Sequence, residues 1–281
     1  MPRSALASVY PPAPVLRPAP RDVLQLAKPV TWFPPMWAFL CGVVASGAPL
    51  ADNWPFLLAG IALTGPLVCG TSQVINDWCD RHVDAINEPD RPIPSGRVPG
   101  RWPVGIAMAG AALSLALAAA LGPLVLMATC VALFFGWSYS AAPLRFKRSG
   151  WLGPLVCALS YEGLSWFTGT AVMLGGWPPA TTLWVLLLYS LGAHGIMTLN
   201  DFKAVVGDSA TGLRSLPVIL GEARAVRFAC GVMALAQLAV IALLATNGLT
   251  VSAAIVAMLL ALQGALMPRL ISNPAKFAPW Y

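Results

Sequence analysis

Residues 103–121 read PVGIAMAGAALSLALAAAL, nineteen positions without a charged side chain. A helix rises about 1.5 Å per residue, so a run of this length crosses roughly the 30 Å of a bilayer's hydrocarbon. Seven more runs of similar length and apolarity flank it, at 30–50, 55–75, 123–141, 152–174, 181–199, 226–246 and 249–270. Hydrophobic residues make up 58% of the 281 positions, more apolar side chain than one soluble core hides. The reading is an all-α, polytopic transmembrane helix bundle with eight spans.

The positive charges orient it. Lysine and arginine near span ends stay cytoplasmic. All 17 of them fall in the N-terminal segment or in 81–101, 145–148, 203–227 and 269–276, and none in the four alternate connections. The N-terminus is therefore expected to be cytoplasmic, and topology accounts for the net charge of +6 without any nucleic-acid partner. The first 28 residues hold six prolines, three arginines and a lysine, with no apolar core of the kind a signal peptide needs. They are expected to form a disordered cytoplasmic tail, leaving 29–281 as the membrane domain. The six cysteines show no CxxC pairing, so a disulfide framework or a thiolate zinc site is not expected.

Five of the chain's eleven carboxylates crowd into 76–96, NDWCDRHVDAINEPDRPIPSG. If the second span continues as a helix, Asn76, Asp80 and Asp84 share one face and Asp77 lies a turn before Asp80. Such a face repels itself unless a cation neutralises it, and oxygen-only ligands suit Mg²⁺. The alternative is a solvated loop whose acids are balanced by Arg81, Arg91, Arg97 and Arg101. A second acidic segment after the sixth span places Asn200, Asp201 and Asp208 beside Lys203 and Arg214. Four crossings separate the two segments, so both open on the same face, into a cavity expected on the cytoplasmic side. Facing carboxylates with interleaved cations suit a diphosphate bridged by Mg²⁺. Neither segment has a glycine-rich nucleotide loop, so ATP is not expected.

These residues resemble a family. NDWCDRHVDAINEPDRPIPSG and DFKAVVGDSATGLRSLPVILG are similar to the two aspartate motifs of the UbiA-type intramembrane prenyltransferases. TWFPPMWAFLCG, YSAAPLRFKRSG, YEGLSWFTG and HGIMTLNDFK resemble the bacteriochlorophyll synthases, with chlorophyll synthases close behind. The resemblance runs from about residue 24 onward. It implies Mg²⁺-dependent transfer of a geranylgeranyl or phytyl group from its diphosphate to the propionate of bacteriochlorophyllide or chlorophyllide. The membrane would be the cell's inner membrane or a photosynthetic intracytoplasmic one, with lipid around the bundle. Asn76, Asp80, Asp84, Asp201 and Asp208 are the implied metal contacts, with Asp77 the less secure ligand. Arg91, Lys147, Lys203 and Arg214 are the expected diphosphate contacts; for Lys147, anchoring at a cytoplasmic helix end is the plainer explanation. The resemblance also implies a ninth span, so the chain is expected to be shortened at its C-terminus.

Glu162 lies deep in the fifth span, where an unpaired carboxylate costs roughly 2.5–3.5 kcal/mol; it either binds pigment or forms an internal hydrogen bond. His194 either ligates the central Mg²⁺ of a chlorin or makes a helix contact. Trp37 and Trp166 offer flat surface for a prenyl chain or tetrapyrrole, against ordinary packing. No residue is expected to act as a general base. Competing functions are weighed by the same residues. A quinone or haem-precursor prenyltransferase shares the aspartate motifs and lacks only the pigment-type stretches. A divalent-cation transporter wants polar groups along a path, yet Glu162 is the one carboxylate deep in an expected span. A pigment-binding scaffold needs neither aspartate motif.

Overall fold

The computed structural model describes residues 17–278. Among them no strand forms beyond one isolated bridge between Ser149 and Arg214, and most of the described residues are helical. Six helices are long and apolar enough to cross a membrane: Trp54–Asn87, Trp102–Leu121, Pro123–Ser140, Ala180–Lys203, Glu222–Thr246 and Thr250–Ser272. Each covers one of the expected spans. The first expected span is shorter than drawn: a single turn, Pro29–Trp32, leads into α2 (Phe33–Ala45). Residues 152–174 are continuously helical but carry Ser160, Tyr161, Glu162 and Ser165 midway.

Ahead of α2 lies α1 (Pro20–Leu26), where the sequence suggested a tail without structure up to residue 28. The correction has a physical cause. Leu26 is fully buried against Val74, Ile75, Val98 and Ala107, and Asp22, also buried, receives a hydrogen bond from Arg97. Residues 1–16 lie outside the described part.

The second span, α3 (Trp54–Asn87), runs on through the acidic stretch as one helix. Its middle is a π-helical turn, Leu63–Cys69, containing Pro66. Proline lacks an N–H and clashes with the carbonyl four residues back, which a wider turn relieves. The helix stops at Glu88, the residue before Pro89, where helical backbone is disfavoured. Then α4 (Trp102–Leu121) and α5 (Pro123–Ser140) pack beside α3. The next helix, α6, joins Leu152–Ala158 to Leu164–Leu174 through a second π turn, Leu159–Gly163. After it come α7 (Ala180–Asn200), the short α8 (Val205–Thr211) and α9 (Leu216–Leu220), α10 (Glu222–Thr246), α11 (Thr250–Ser272) and the closing turn α12 (Pro274–Phe277).

Close backbone contact joins α2 to α6. A Cβ on Gly42 would lie 2.0 Å from the carbonyl oxygen of Trp166, and Thr170 donates a hydrogen bond to the carbonyl of Gly42 at 2.9 Å. Small residues at such crossings let helices gain dispersion where lipid supplies no hydrophobic drive between them. One core cluster gathers around Phe39, Val43, Leu63, Val125 and Phe167; a second lies beneath the acidic end of α3, around Leu26, Val74 and Val98. By contrast, 6% of the apolar window of α11 is buried. Its outward leucines, Leu259 and Leu262 among them, are exposed and call for hydrocarbon rather than a protein core.

Candidate functional site

Because α3 is unbroken, Asn76, Asp80 and Asp84 do share one face. The stripe extends inward as Cys69, Ser72, Gln73 and Asn76, all lining a cavity of about 310 Å³. Its opposite walls are Ala128, Ala132, Phe135, Gly136 and Tyr139 of α5, Cys157, Ser160, Tyr161 and Leu164 of α6, and Pro35 of α2. The inner end is apolar or self-satisfied. Thr64 donates to the carbonyl of Gly60 and Thr168 to that of Leu164, so both hydroxyls are satisfied within their own helices. At the outer end the Nδ2 of Asn76 donates to the hydroxyl of Ser140 at 2.7 Å, which leaves the amide oxygen as the accepting atom. Midway, Gln73 donates to Tyr161 at 2.7 Å. The cavity is a slot with a polar mouth and a greasy floor.

At that mouth Asp77, Asp80 and Asp84 each have a basic partner. Asp80 pairs with Lys147. Asp84 accepts from Arg91 at 2.9 Å, and Asp77 pairs with Lys28 at 2.6 Å and with Arg91 at 3.5 Å. The proline-rich turn after α3 aims Arg91 back at the helix: Ser95 donates both its amide and its hydroxyl to the Arg91 carbonyl. Burial opposes the charge on Arg91, but hydrogen bonds and attraction from Glu88, Asp77 and Asp84 outweigh it and hold the guanidinium above its ordinary pKa. Lys147 is presented by a short turn, Phe146–Arg148, just after α5.

The second motif meets the first there. Asp201 opens a turn after α7 and Asp208 lies on α8. The Arg214 loop of the second motif sits against the turn that carries Lys147, the partner of Asp80, which brings the two acidic segments to the same end of the bundle. Backbone contacts hold the arrangement: the amide of Gly150 donates to the carbonyl of Arg214 at 2.7 Å. A Cβ on Gly150 would come within 2.5 Å of that oxygen, so only glycine lets the Arg214 loop sit against the basic turn.

Among the described residues no three histidine, cysteine or acidic side chains converge as a ready metal-binding group. The donors nevertheless suit a hard cation. They are oxygens, and those of Asp80 and Asp84 are paired with Lys147 and Arg91, cations that a metal would displace. Four expected residues fall elsewhere. Trp37 is half exposed on the outer face of α2. Glu162, Trp166 and His194 contribute nothing to the cavity lining: Glu162 is buried with its Oε2 unpartnered among the described residues, Trp166 packs edge-on to Tyr189, and His194 contacts the carbonyl of Trp151 and the ring of Phe228. The sequence reading missed Lys28, Tyr139 and Tyr161. A signal existed for the tyrosines, polar residues at helical spacing inside apolar runs; none existed for Lys28, whose partner lies 49 residues away.

Known proteins share this chain's sequence and fold. The UbiA prenyltransferase family model matches residues 35–279. The chain is 54% identical to the bacteriochlorophyll synthase 33 kDa chain of Cereibacter sphaeroides, over 94% of this chain and 87% of that one. It is 38% identical to the chloroplastic chlorophyll synthase of Oryza sativa, over 80% of this chain and 62% of that one. Its fold is similar to that of a UbiA homolog from Archaeoglobus fulgidus bound to GPP and Mg²⁺, with a TM-score of 0.72 at 22% identity, covering 92% and 95% of the two chains. The chain is a member of the UbiA prenyltransferase family.

Proposed function

We propose that this membrane prenyltransferase moves a geranylgeranyl or phytyl group from its diphosphate to the propionate of bacteriochlorophyllide, or of the closely related chlorophyllide. The observation that carries the reading is the slot itself. An apolar cavity of about 310 Å³ ends at a mouth where two acidic segments and several cations meet, and a prenyl diphosphate has the same division into a long apolar tail and a charged head. The pigment acceptor comes from the synthase relatives.

Asn76, Asp80 and Asp84 on one side and Asp201 and Asp208 on the other would hold Mg²⁺, which when bound supplies positive charge to a diphosphate leaving group. Arg91, Lys147, Lys203 and Arg214 hold the diphosphate oxygens, and the cavity walls keep the tail extended and water away from C1. The acceptor needs no base: a propionate, with a pKa of about 4 to 5 by analogy with glutamate, is already an anion at neutral pH. Glu162 and His194, outside the cavity lining, have no proton to remove. The distribution of lysine and arginine supports a mouth on the cytoplasmic side of the membrane.

The test is an assay of membranes holding this chain with each chlorophyllide and each diphosphate, with and without Mg²⁺. Ester formation with bacteriochlorophyllide that stops on chelation is the expected result. Transfer to a phenolic quinone precursor instead would overturn the acceptor.

A further inference from the structure

Asp77 sits in the middle of the first acidic motif, yet it differs from its neighbours. Asn76 lines the cavity, whereas Asp77, one residue and about 100° further round the helix, is not part of the lining and is 2% exposed. One oxygen, Oδ1, is shared by two cations: Lys28 at 2.6 Å and Arg91 at 3.5 Å. A metal there would have to displace both from a buried position.

Lys28 reaches Asp77 because the segment before α2 is bound across α3 as a strap. Leu26 is fully buried beneath it. Trp32 donates its indole N–H to the carbonyl of Ala27 at 2.8 Å, and Thr31 donates its hydroxyl to the carbonyl of Lys28 at 2.8 Å. Lys28 itself has left-handed backbone, φ 48°, a conformation uncommon for a residue with a side chain and held only where surroundings demand it. Further along, Arg97 joins the strap to the turn that carries Arg91, contacting Asp22, Gln25 and the carbonyl of Asp90.

These contacts form a chain: strap, Asp77, Arg91, Asp84. With Lys28 on Asp77, Arg91 is left 3.5 Å from that carboxylate and bonds Asp84 at the mouth instead. Without Lys28, the buried carboxylate would hold Arg91 as its sole cation and draw it inward, because an unpaired buried charge is costly.

We propose that Asp77 is a positioning residue rather than a metal ligand, and that Lys28 is its partner: together they lock the N-terminal strap over the site and keep Arg91 at the mouth, where the diphosphate binds. The proposal rests on the prenyl-transfer reading for the role of Arg91, but not for the strap.

Three measurements on the full chain in detergent test it: Mn²⁺ binding by electron paramagnetic resonance, kcat and KM for the prenyl diphosphate, and tryptic cleavage at Arg21. Asp77→Asn should keep wild-type Mn²⁺ affinity, where Asp80→Asn loses it, and should speed cleavage at Arg21. Lys28→Met should raise the donor KM by roughly tenfold, the scale of a lost hydrogen bond to a charged group, with a much smaller change in kcat. Lys28→Arg should restore it. If Asp77→Asn loses Mn²⁺ as fully as Asp80→Asn, or if Lys28→Met leaves KM unchanged, the assignment is overturned. Failure of the prenyl-transfer reading looks different: the wild type itself would bind no donor, while the cleavage arm would still report on the strap.

Discussion

At the scale of single residues, the motif spacing in 76–96 was legible because a helix converts i, i+4, i+8 into a face. The partners on that face were not: Lys147 is 67 residues from Asp80 in sequence, and only folding brings it there. The carboxylates that would hold the metal give the first prediction. Asp80→Asn or Asp208→Asn removes a negative charge with little change of shape, so transfer should fall by roughly 100-fold or more while membrane insertion persists. Turnover near the wild-type value at limiting Mg²⁺ would remove both residues from the metal site. The acceptor chemistry gives a second. With both propionate oxygens labelled with oxygen-18, attack by the carboxylate on C1 keeps both labels in the ester and puts none in the released diphosphate. Mass spectrometry showing one label lost would mean that the carboxyl carbon had been attacked.

At the scale of helices, both π turns fall where the chain lines the cavity: Leu63, Thr64, Val68 and Cys69 from one, Ser160 and Tyr161 from the other. Each turn re-aims the side chains that follow it, a frequent use of π bulges at functional sites. Pro66 was a visible cue for the first, whereas nothing in LSYEG announced the second. On α5, Ala128, Ala132 and Gly136 recur every four residues and keep that wall thin. Ala132→Phe should therefore obstruct the slot, raising KM for a twenty-carbon diphosphate about tenfold while a ten-carbon one is affected much less. Equal effects on both donors would show that the tail does not pass Ala132. The α2–α6 contact tolerates no added atom, so Gly42→Ala should cost about 1–3 kcal/mol, read as a lower unfolding midpoint in detergent. An unchanged midpoint would contradict the close contact.

At the scale of the whole molecule, the segregation of lysine and arginine predicts that both ends of α11 lie on opposite sides of the membrane, with the mouth on the cytoplasmic one. In a background without reactive native cysteines, Asn247→Cys should react with an impermeant thiol reagent added outside intact cells, and Ser272→Cys only after lysis. The reverse pattern would invert the topology.

Residue types and their spacing by themselves determined that the chain is a helical membrane bundle, that Asn76, Asp80 and Asp84 share one helical face, and that an even number of expected crossings separates the two acidic segments. Length and apolarity suffice for the first, since hydrocarbon leaves backbone polar groups no partner but their own helix; crossing number and helical period suffice for the others. Tertiary structure alone decided where the tail ends and the strap begins, which basic residue meets which carboxylate, and that Glu162, Trp166 and His194 face neighbouring helices rather than the cavity. Those outcomes depend on contacts between residues tens of positions apart, such as Lys28 with Asp77 and Gly150 with Arg214. Local sequence carries no record of such pairings.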